Sequence, residues 1–157
     1  RVMKGLFDEQ VLQALSAISG IPDLLPEPAL FGAGVHRTSQ GGRLAIHTDF
    51  NTHPSGLYRR LNLLLYLNKH WHEDWGGGLE LWTADMAQRV KTVPPVLNRA
   101  VIFTLSDVSF HGHPDPLTCP DDEARYSFAA YYYTEAKPDD FTGAHNTCRQ
   151  RRPGSSD

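Results

Sequence analysis

Hydrophobic and polar residues follow two different periods along the chain, one before residue 20 and another after residue 31. The first segment, residues 6–18, has good helix formers between apolar residues at spacings near 3.6: Leu6, Phe7, Val11, Leu15 and Ile18. Gly20 tolerates the left-handed conformation of a helix cap, and Pro22 cannot continue the helical hydrogen bonding. We therefore predict an amphipathic helix that covers a sheet.

After residue 31 the pattern changes to short apolar or alternating runs separated by Gly, Pro, Asn and Asp, which is typical of antiparallel strands. The predicted strands span residues 34–38, 44–47, 61–67, 79–82, 90–93, 100–104, 109–112 and 126–133. Gly41-Gly42 predicts a tight turn between the first two. The run Asn62-Leu-Leu-Leu-Tyr-Leu-Asn68 lacks clean alternation, so we predict a central strand buried on both faces.

About eight short strands after one helix favour a mainly β fold, the double-stranded β-helix of jelly-roll or cupin-like proteins. A parallel α/β arrangement is disfavoured because only one convincing helix is available for crossovers. With 157 residues, 40% of them hydrophobic, the chain suits one compact domain and is too short for two. We expect a single domain, with a helical cover at about 5–20, a barrel at about 32–135 and a C-terminal tail at about 136–157.

Charge and cysteine content narrow the expected partners. The net charge is −3, and the charges are interspersed up to a short basic cluster in the tail, formed by Arg149, Arg151 and Arg152. We therefore expect neither nucleic acid nor a membrane as a partner. Two cysteines, Cys119 and Cys148, do not suggest a disulfide scaffold and favour a reducing, cytoplasmic location. No apolar run approaches the roughly 20 residues of a membrane span, and no signal peptide opens the chain. The first residue is Arg1, which is compatible with a missing upstream segment.

His47 and Asp49 are the first candidates for chemistry. They stand two residues apart where a strand is predicted, so their side chains point to the same face. An imidazole and a carboxylate bind a divalent metal but leave its coordination incomplete. His111, far along the chain, is the best third ligand. Two histidines and one carboxylate leave three adjacent metal positions open, whereas a structural site is closed by a fourth side chain.

Arg125 opens the last predicted strand. A cation on the inward face of a barrel requires an anion, and a guanidinium matches the two oxygens of a carboxylate. A metal with open positions and an arginine deeper in the barrel would together hold a small dicarboxylate at both ends.

In this order the motifs resemble those of the iron(II)- and 2-oxoglutarate-dependent dioxygenases, specifically the prolyl-hydroxylase-like branch. The resemblance covers residues 32–134 through His47-Thr-Asp49, Asn62-Leu-Leu-Leu-Tyr-Leu-Asn68, Gly77-Gly78-Leu79-Glu80-Leu81, His111 and Arg125. It implies that His47, Asp49 and His111 bind iron(II). It also implies that Arg125 holds the distal carboxylate of 2-oxoglutarate. Tyr66 either hydrogen-bonds that carboxylate or is a core aromatic residue.

The resemblance further implies hydroxylation of an unactivated C–H bond, with 2-oxoglutarate and molecular oxygen as co-substrates. The expected substrate is a prolyl or other amino-acid residue in a peptide, a free amino acid or another small molecule. Asp49 favours hydroxylation over halogenation, because a small apolar residue in its place would open a site for halide.

The spacing between the distal histidine and the arginine differs from the spacing in many members of the family. Arg125 follows His111 by 14 positions, so residues 112–124 are expected to form a longer loop. His113 is a rival metal ligand. We prefer His111 because Pro114 follows His113, where the chain is expected to turn out of the strand.

Substrate selection is expected in the loops around the barrel mouth, at residues 51–58 and 112–124. Tyr58, Arg59 and Arg60 either line that mouth or are ordinary loop residues.

Two other functions remain open. One is a non-catalytic cupin-like module that binds a metal or a small ligand such as a sugar. The other is a metal-dependent hydrolase or isomerase in which Glu80 or Glu73 acts as the base.

Overall fold

The computed structural model describes residues 5–144 and 149–150, and of the last two only the backbone. Within these residues one main helix is followed by strands that form two sheets. The elements are α1 (Glu9–Ser19), β1 (Leu25–Pro26), β2 (Gly34–Ser39), β3 (Leu44–Thr48), β4 (Tyr58–Tyr66), a 3-10 helix (Glu73–Trp75), β5 (Leu79–Trp82), β6 (Arg89–Val93), β7 (Ala100–Thr104), β8 (His111–His113), β9 (Ala124–Thr134) and β10 (Arg149–Gln150). Cys148 and the arginines at 151 and 152 lie outside the described residues.

The strands form two antiparallel sheets of five strands each. Sheet I has the order β1-β9-β4-β7, with β2 also paired to β9, and sheet II has the order β10-β3-β8-β5-β6. Side chains of both sheets line one cavity, so the sheets face each other across it. This arrangement confirms the predicted double-stranded β-helix. It also confirms β4 as a central strand, between β9 and β7.

Strand β9 separates the hydrophobic core from the cavity through its two-residue period. Ala130 and Tyr132 point to the outer face of sheet I and pack into the core beneath α1. Arg125, Ser127 and Tyr131 point to the inner face and line the cavity. A single strand therefore contributes to the packing of the fold on one side and to the candidate site on the other.

Helix α1 covers sheet I, as predicted, but begins at Glu9 rather than at residue 6. Asp8 has an extended backbone and is the N-cap residue, so Leu6 and Phe7 precede the helix while still packing against the core. Gly20 closes the helix in the left-handed conformation, with φ of 72°. Burying a large apolar side chain such as that of Leu15, which is 3% exposed, contributes about 1.5–3 kcal/mol.

Strand β4 starts at Tyr58, earlier than the predicted residue 61. The alternative that Tyr58, Arg59 and Arg60 are ordinary loop residues is therefore wrong. The partner strand β9 continues to Thr134, which pairs with Tyr58, so the ladder extends over these residues.

Strand β8 spans His111–His113 rather than residues 109–112. Ser109 instead closes a turn, because its hydroxyl donates a hydrogen bond of 2.9 Å to the carbonyl of Ser106. The strand starts where His111 pairs with His47 of β3.

The Gly41-Gly42 turn is present, and the N–H of Gly42 donates to the carbonyl of Ser39 at 2.9 Å. It does not form a hairpin, because β2 pairs with β9 whereas β3 pairs with β8. The turn instead carries the chain from sheet I to sheet II. The short strands β1 and β10 are not predicted, since two residues give no readable alternation. No helix within the described residues is long and apolar enough to cross a membrane.

Candidate metal and co-substrate site

His47, Asp49 and His111 lie together on the inner face of sheet II. Nε2 of His47 is 3.4 Å from Oδ1 of Asp49, and Nε2 of His111 is 3.4 Å from Oδ2 of the same carboxylate. The possible ligand atoms of the three residues lie within 4.8 Å of one another. The cross-strand pairing of β3 with β8 brings the two imidazoles to a centroid distance of 4.5 Å.

Both histidines are oriented by main-chain carbonyls. Nδ1 of His47 is 2.8 Å from the carbonyl of Ala45, and Nδ1 of His111 is 2.9 Å from the carbonyl of Ser109. A carbonyl only accepts, so each ring carries a proton on Nδ1 and directs Nε2 toward Asp49. Without a metal, a protonated Nε2 donates to the carboxylate, and loss of that proton leaves the tautomer that binds a metal through Nε2.

Two side chains of β4 hold the carboxylate of Asp49. Nη2 of Arg59 donates to Oδ2 at 2.9 Å, and Nδ2 of Asn62 donates to the same oxygen at 2.7 Å. Burial raises the pKa of Asp49, but the hydrogen bonds with His111 and His47 and the charge of Arg59 outweigh it. The pKa therefore lies well below its usual range, and the group is a carboxylate at neutral pH.

Arg59 is 1% exposed and lies between two aromatic rings. Its Cζ is 4.4 Å from the ring centroid of Phe50 and 3.3 Å from that of Tyr131, both within the range of cation–π attraction. The register of β4 against β9 shifts between Arg59 and Leu61. This bulge turns Arg59 to the same side as Asn62, although a regular strand would place residues three apart on opposite faces.

Arg125 lines the same cavity as the triad of His47, Asp49 and His111, and this cavity has a volume of about 370 Å³. Its Nε donates to the carbonyl of Gly77 at 2.7 Å, and its Nη2 donates to the hydroxyl of Tyr66 at 3.3 Å. Tyr66 is fully buried and is not among the cavity-lining residues, so its contact is with the arginine. Asp49 is the only acidic residue among the described residues that line this space.

His113, the rival ligand, is not part of the cluster of His47, Asp49 and His111. His113 is still part of strand β8 and is 5% exposed, because the chain leaves the strand only at Pro114. The expected turn at Pro114 therefore does not by itself exclude His113 as a metal ligand. It lies opposite Leu44 rather than His47, farther along the strand from Asp49. Burial and the charge of Arg125 lower the pKa of His113 to about 4.

Neither glutamate of the hydrolase hypothesis reaches the triad. Glu80 pairs with Gly112, which places its side chain on the face of sheet II opposite to that of His111. There it accepts hydrogen bonds from Trp82 and Arg89. Glu73 is exposed on the 3-10 helix.

The donor set fits a first-row divalent metal with open positions. Two imidazole nitrogens and one carboxylate oxygen converge, and each is oriented by a second group, as metal ligands are. Such metals bind these atoms at about 2.0–2.2 Å, so adjacent ligands would lie about 3 Å apart. The 3.4 Å contacts to Asp49 are close to this spacing.

The sequence interpretation missed the roles of Arg59 and Asn62 around Asp49. Asn62 carried a signal, because a polar residue in an apolar central strand must have a partner. Arg59 carried none, because a bulge leaves no trace in the hydrophobic pattern.

Comparisons with known proteins agree with this geometry. The family model of the 2OG-Fe(II) oxygenase superfamily matches residues 33–133. Prolyl 3-hydroxylase OGFOD1 of Mus musculus is 35% identical over 79 residues, which cover 48% of this chain and 14% of that protein.

Solved structures show the same fold. A prolyl 4-hydroxylase of Phytophthora capsici matches with a TM-score of 0.60 and 25% identity, over 84% of this chain and 42% of that one. A prolyl-4-hydroxylase of Pseudomonas putida matches with a TM-score of 0.53 and 20% identity, over 85% of this chain and 64% of that one. The chain thus spans less than two thirds of these relatives. The family model covers more than half of the present sequence, so the chain belongs to the 2OG-Fe(II) oxygenase superfamily.

Proposed function

We propose that this chain is the catalytic domain of an iron(II)- and 2-oxoglutarate-dependent hydroxylase that acts on a prolyl or other amino-acid residue of a peptide. The observation that carries the proposal is the presence of two recognition groups in one cavity. One is the cluster of His47, Asp49 and His111, and the other is the guanidinium of Arg125.

The first group would hold iron(II) through Nε2 of His47, Nε2 of His111 and an oxygen of Asp49. When bound, the iron would supply oxygen activation, with 2-oxoglutarate as the reducing co-substrate, which protein side chains cannot provide. The protein contributes orientation. Main-chain carbonyls fix both imidazoles, and Arg59 with Asn62 fixes the carboxylate.

The second group would hold the distal carboxylate of 2-oxoglutarate. Arg125 is 5% exposed, so its attraction for a carboxylate is little screened by solvent. Its five N–H groups include one that bonds Gly77 and one that bonds Tyr66, which leaves three for an anion. Tyr66 and Gly77 thereby orient Arg125, and this is the role that we propose for Tyr66.

Peptidyl proline is the first substrate to test. Support comes from the prolyl 3-hydroxylase of mouse, which shares 35% identity over about half of this chain. Incubation with proline-containing peptides, iron(II), 2-oxoglutarate and oxygen is expected to add one oxygen atom to a proline, as measured by mass spectrometry. A parallel panel would contain peptides without proline and free amino acids. Hydroxylation of one of these instead of a prolyl residue would change the assigned substrate but keep the assignment as a hydroxylase.

The proposed location is a reducing, cytoplasmic compartment, as the low cysteine content suggests. Cys119, the cysteine within the described residues, is a buried free thiol. The alternative of a non-catalytic cupin-like module predicts metal binding without consumption of 2-oxoglutarate. The buried Arg125 in the metal cavity supports the enzyme instead, because a metal-binding module does not require a second anion site.

A further inference from the structure

His113 is a buried side chain with one ring nitrogen that stays unpaired within the part of the chain that the structure describes. It is 5% exposed, and its Nδ1 has no partner among the described residues. Burying such a group without a hydrogen bond is unfavourable. The two other histidines of this sheet face, His47 and His111, both have main-chain partners at Nδ1. Unlike them, His113 makes no hydrogen bond at Nδ1 that would explain a polar side chain at this buried position.

The position of His113 relates it to the anion site rather than to the metal. It lines the cavity but is absent from the cluster of metal ligands. In strand β8 it is two residues beyond His111 and lies opposite Leu44. The register of β8 against β5, with Gly112 opposite Glu80, places His113 on the side of Gly77, whose carbonyl accepts a hydrogen bond from Arg125.

A carboxylate at Arg125 would need more donors than this arginine offers in one plane. Two carboxylate oxygens provide about four acceptor positions, and a planar guanidinium fills two of them. Other donors in the cavity can fill the remaining positions. His113, in strand β8 of the facing sheet, lines the same cavity as Arg125 and carries such a donor.

We infer that His113 donates a hydrogen bond from its imidazole to the 2-oxoglutarate carboxylate held by Arg125. This inference rests on the proposed function. It makes His113 a binding residue for the co-substrate and not a fourth metal ligand. The 2-oxoglutarate site would then be formed by both sheets, with Arg125 from sheet I and His113 from sheet II.

The test is 2-oxoglutarate binding by the full chain loaded with Mn²⁺ under anaerobic conditions, measured by calorimetry. His113→Val removes both ring nitrogens with a side chain that suits a strand and is too small to obstruct the cavity. His113→Asn restores an N–H near the position of Nδ1, and His113→Gln restores one near Nε2. His70→Val, at an exposed position outside the cavity, is the matched control.

We expect His113→Val to raise the dissociation constant of 2-oxoglutarate about tenfold or more, with the affinity for Mn²⁺ unchanged. At least one of the amide variants should recover most of this loss, and the control should bind as the wild type does. Equal 2-oxoglutarate affinity in His113→Val, a matching loss of Mn²⁺ affinity, or no recovery by either amide would overturn the inference. A folded, Mn²⁺-loaded wild type that does not bind 2-oxoglutarate would instead overturn the proposed function.

Discussion

Nη2 of Arg59 lies 2.9 Å from Oδ2 of Asp49, so the carboxylate assigned to the metal is also the counter-charge of a buried guanidinium. Arg59 is held between Phe50 and Tyr131 and cannot turn to solvent without losing both ring contacts. Asp49 therefore contributes to stability even in the absence of metal. A substitution of Asp49 that abolishes activity would not by itself show that the residue binds a metal.

A double variant separates these two contributions of Asp49. We expect Asp49→Ala to abolish Mn²⁺ binding and to lower the free energy of unfolding by about 3–5 kcal/mol, because it leaves a buried charge uncompensated. Adding Arg59→Met removes that charge, so the double variant should regain most of the stability and still bind no metal. Urea unfolding and Mn²⁺ titration measure the two quantities. A double variant as unstable as Asp49→Ala would show that the ion pair is not the cause.

Arg125 and Tyr66 are expected to affect the co-substrate to different degrees. Arg125→Met should weaken 2-oxoglutarate binding by at least about thirtyfold, because it removes charge-assisted hydrogen bonds. Tyr66→Phe should weaken it by less than about tenfold, because it removes only a contact that orients the arginine. Calorimetry on Mn²⁺-loaded protein compares the two. A parallel loss of Mn²⁺ affinity in either variant would indicate a folding defect.

Gly77 and Gly76 form a matched pair for testing how closely the backbone must approach Arg125. Their φ angles are 71° and 72°, a range that residues with a Cβ rarely adopt, so an alanine costs about 1–3 kcal/mol of strain at either position. A Cβ on Gly77 would lie 2.6 Å from Leu117 and 3.0 Å from Cδ of Arg125, whereas one on Gly76 meets nothing within 4 Å. Gly77→Ala should therefore cost an additional 1–3 kcal/mol or so and weaken 2-oxoglutarate binding.

Gly76→Ala should lose only the strain energy and keep its 2-oxoglutarate affinity. Denaturant unfolding and calorimetry on both variants provide the comparison. Identical effects of the two alanines would show that the contact with Arg125 does not matter.

Tyr132 links the packing of the segment before helix α1 to alkaline stability. Its hydroxyl donates to the carbonyl of Leu6 at 2.8 Å, and burial raises the pKa of Tyr132 to about 12 from the ordinary 10.0. Above pH 10 the unfolded chain loses this proton before the folded one does, so stability falls as the pH rises toward 12. The loss reaches about 2–3 kcal/mol.

Tyr132→Phe should cost about 1 kcal/mol at neutral pH, through the lost hydrogen bond, and make the alkaline decline shallower. Urea unfolding at several pH values between 8 and about 12 measures the slopes. Parallel curves for wild type and variant would contradict the assignment of this pH dependence to Tyr132.

Local periodicity was sufficient to predict the class of fold and the residues that the structure brings together. The two-residue spacing of His47 and Asp49 is fixed by strand geometry. The polar residues His111 and Arg125 stand out at the borders of apolar strands, so they could be selected without knowledge of the sheet order. Their roles as ligands of iron and 2-oxoglutarate stay predictions that the experiments above address.

Which strands pair with one another, and in which register, could not be predicted in the same way. The hydrophobic pattern does not show that β2 and β3 join different sheets, since a Gly-Gly turn suits a hairpin and a sheet crossing equally. It also does not show the bulge that turns Arg59 toward Asp49, because this depends on the register between β4 and β9. The missed contacts are thus those that long-range strand register determines.

The most direct test of the proposed hydroxylase is the conversion of 2-oxoglutarate to succinate by the purified chain. We predict succinate only when iron(II), oxygen and 2-oxoglutarate are all present, with turnover increased by a prolyl peptide that is a substrate. His47→Ala should abolish the reaction, and His70→Ala, at an exposed position away from the cavity, should preserve it. Succinate formation that persists in His47→Ala, or a folded, iron-loaded wild type that consumes no 2-oxoglutarate, would contradict the proposal.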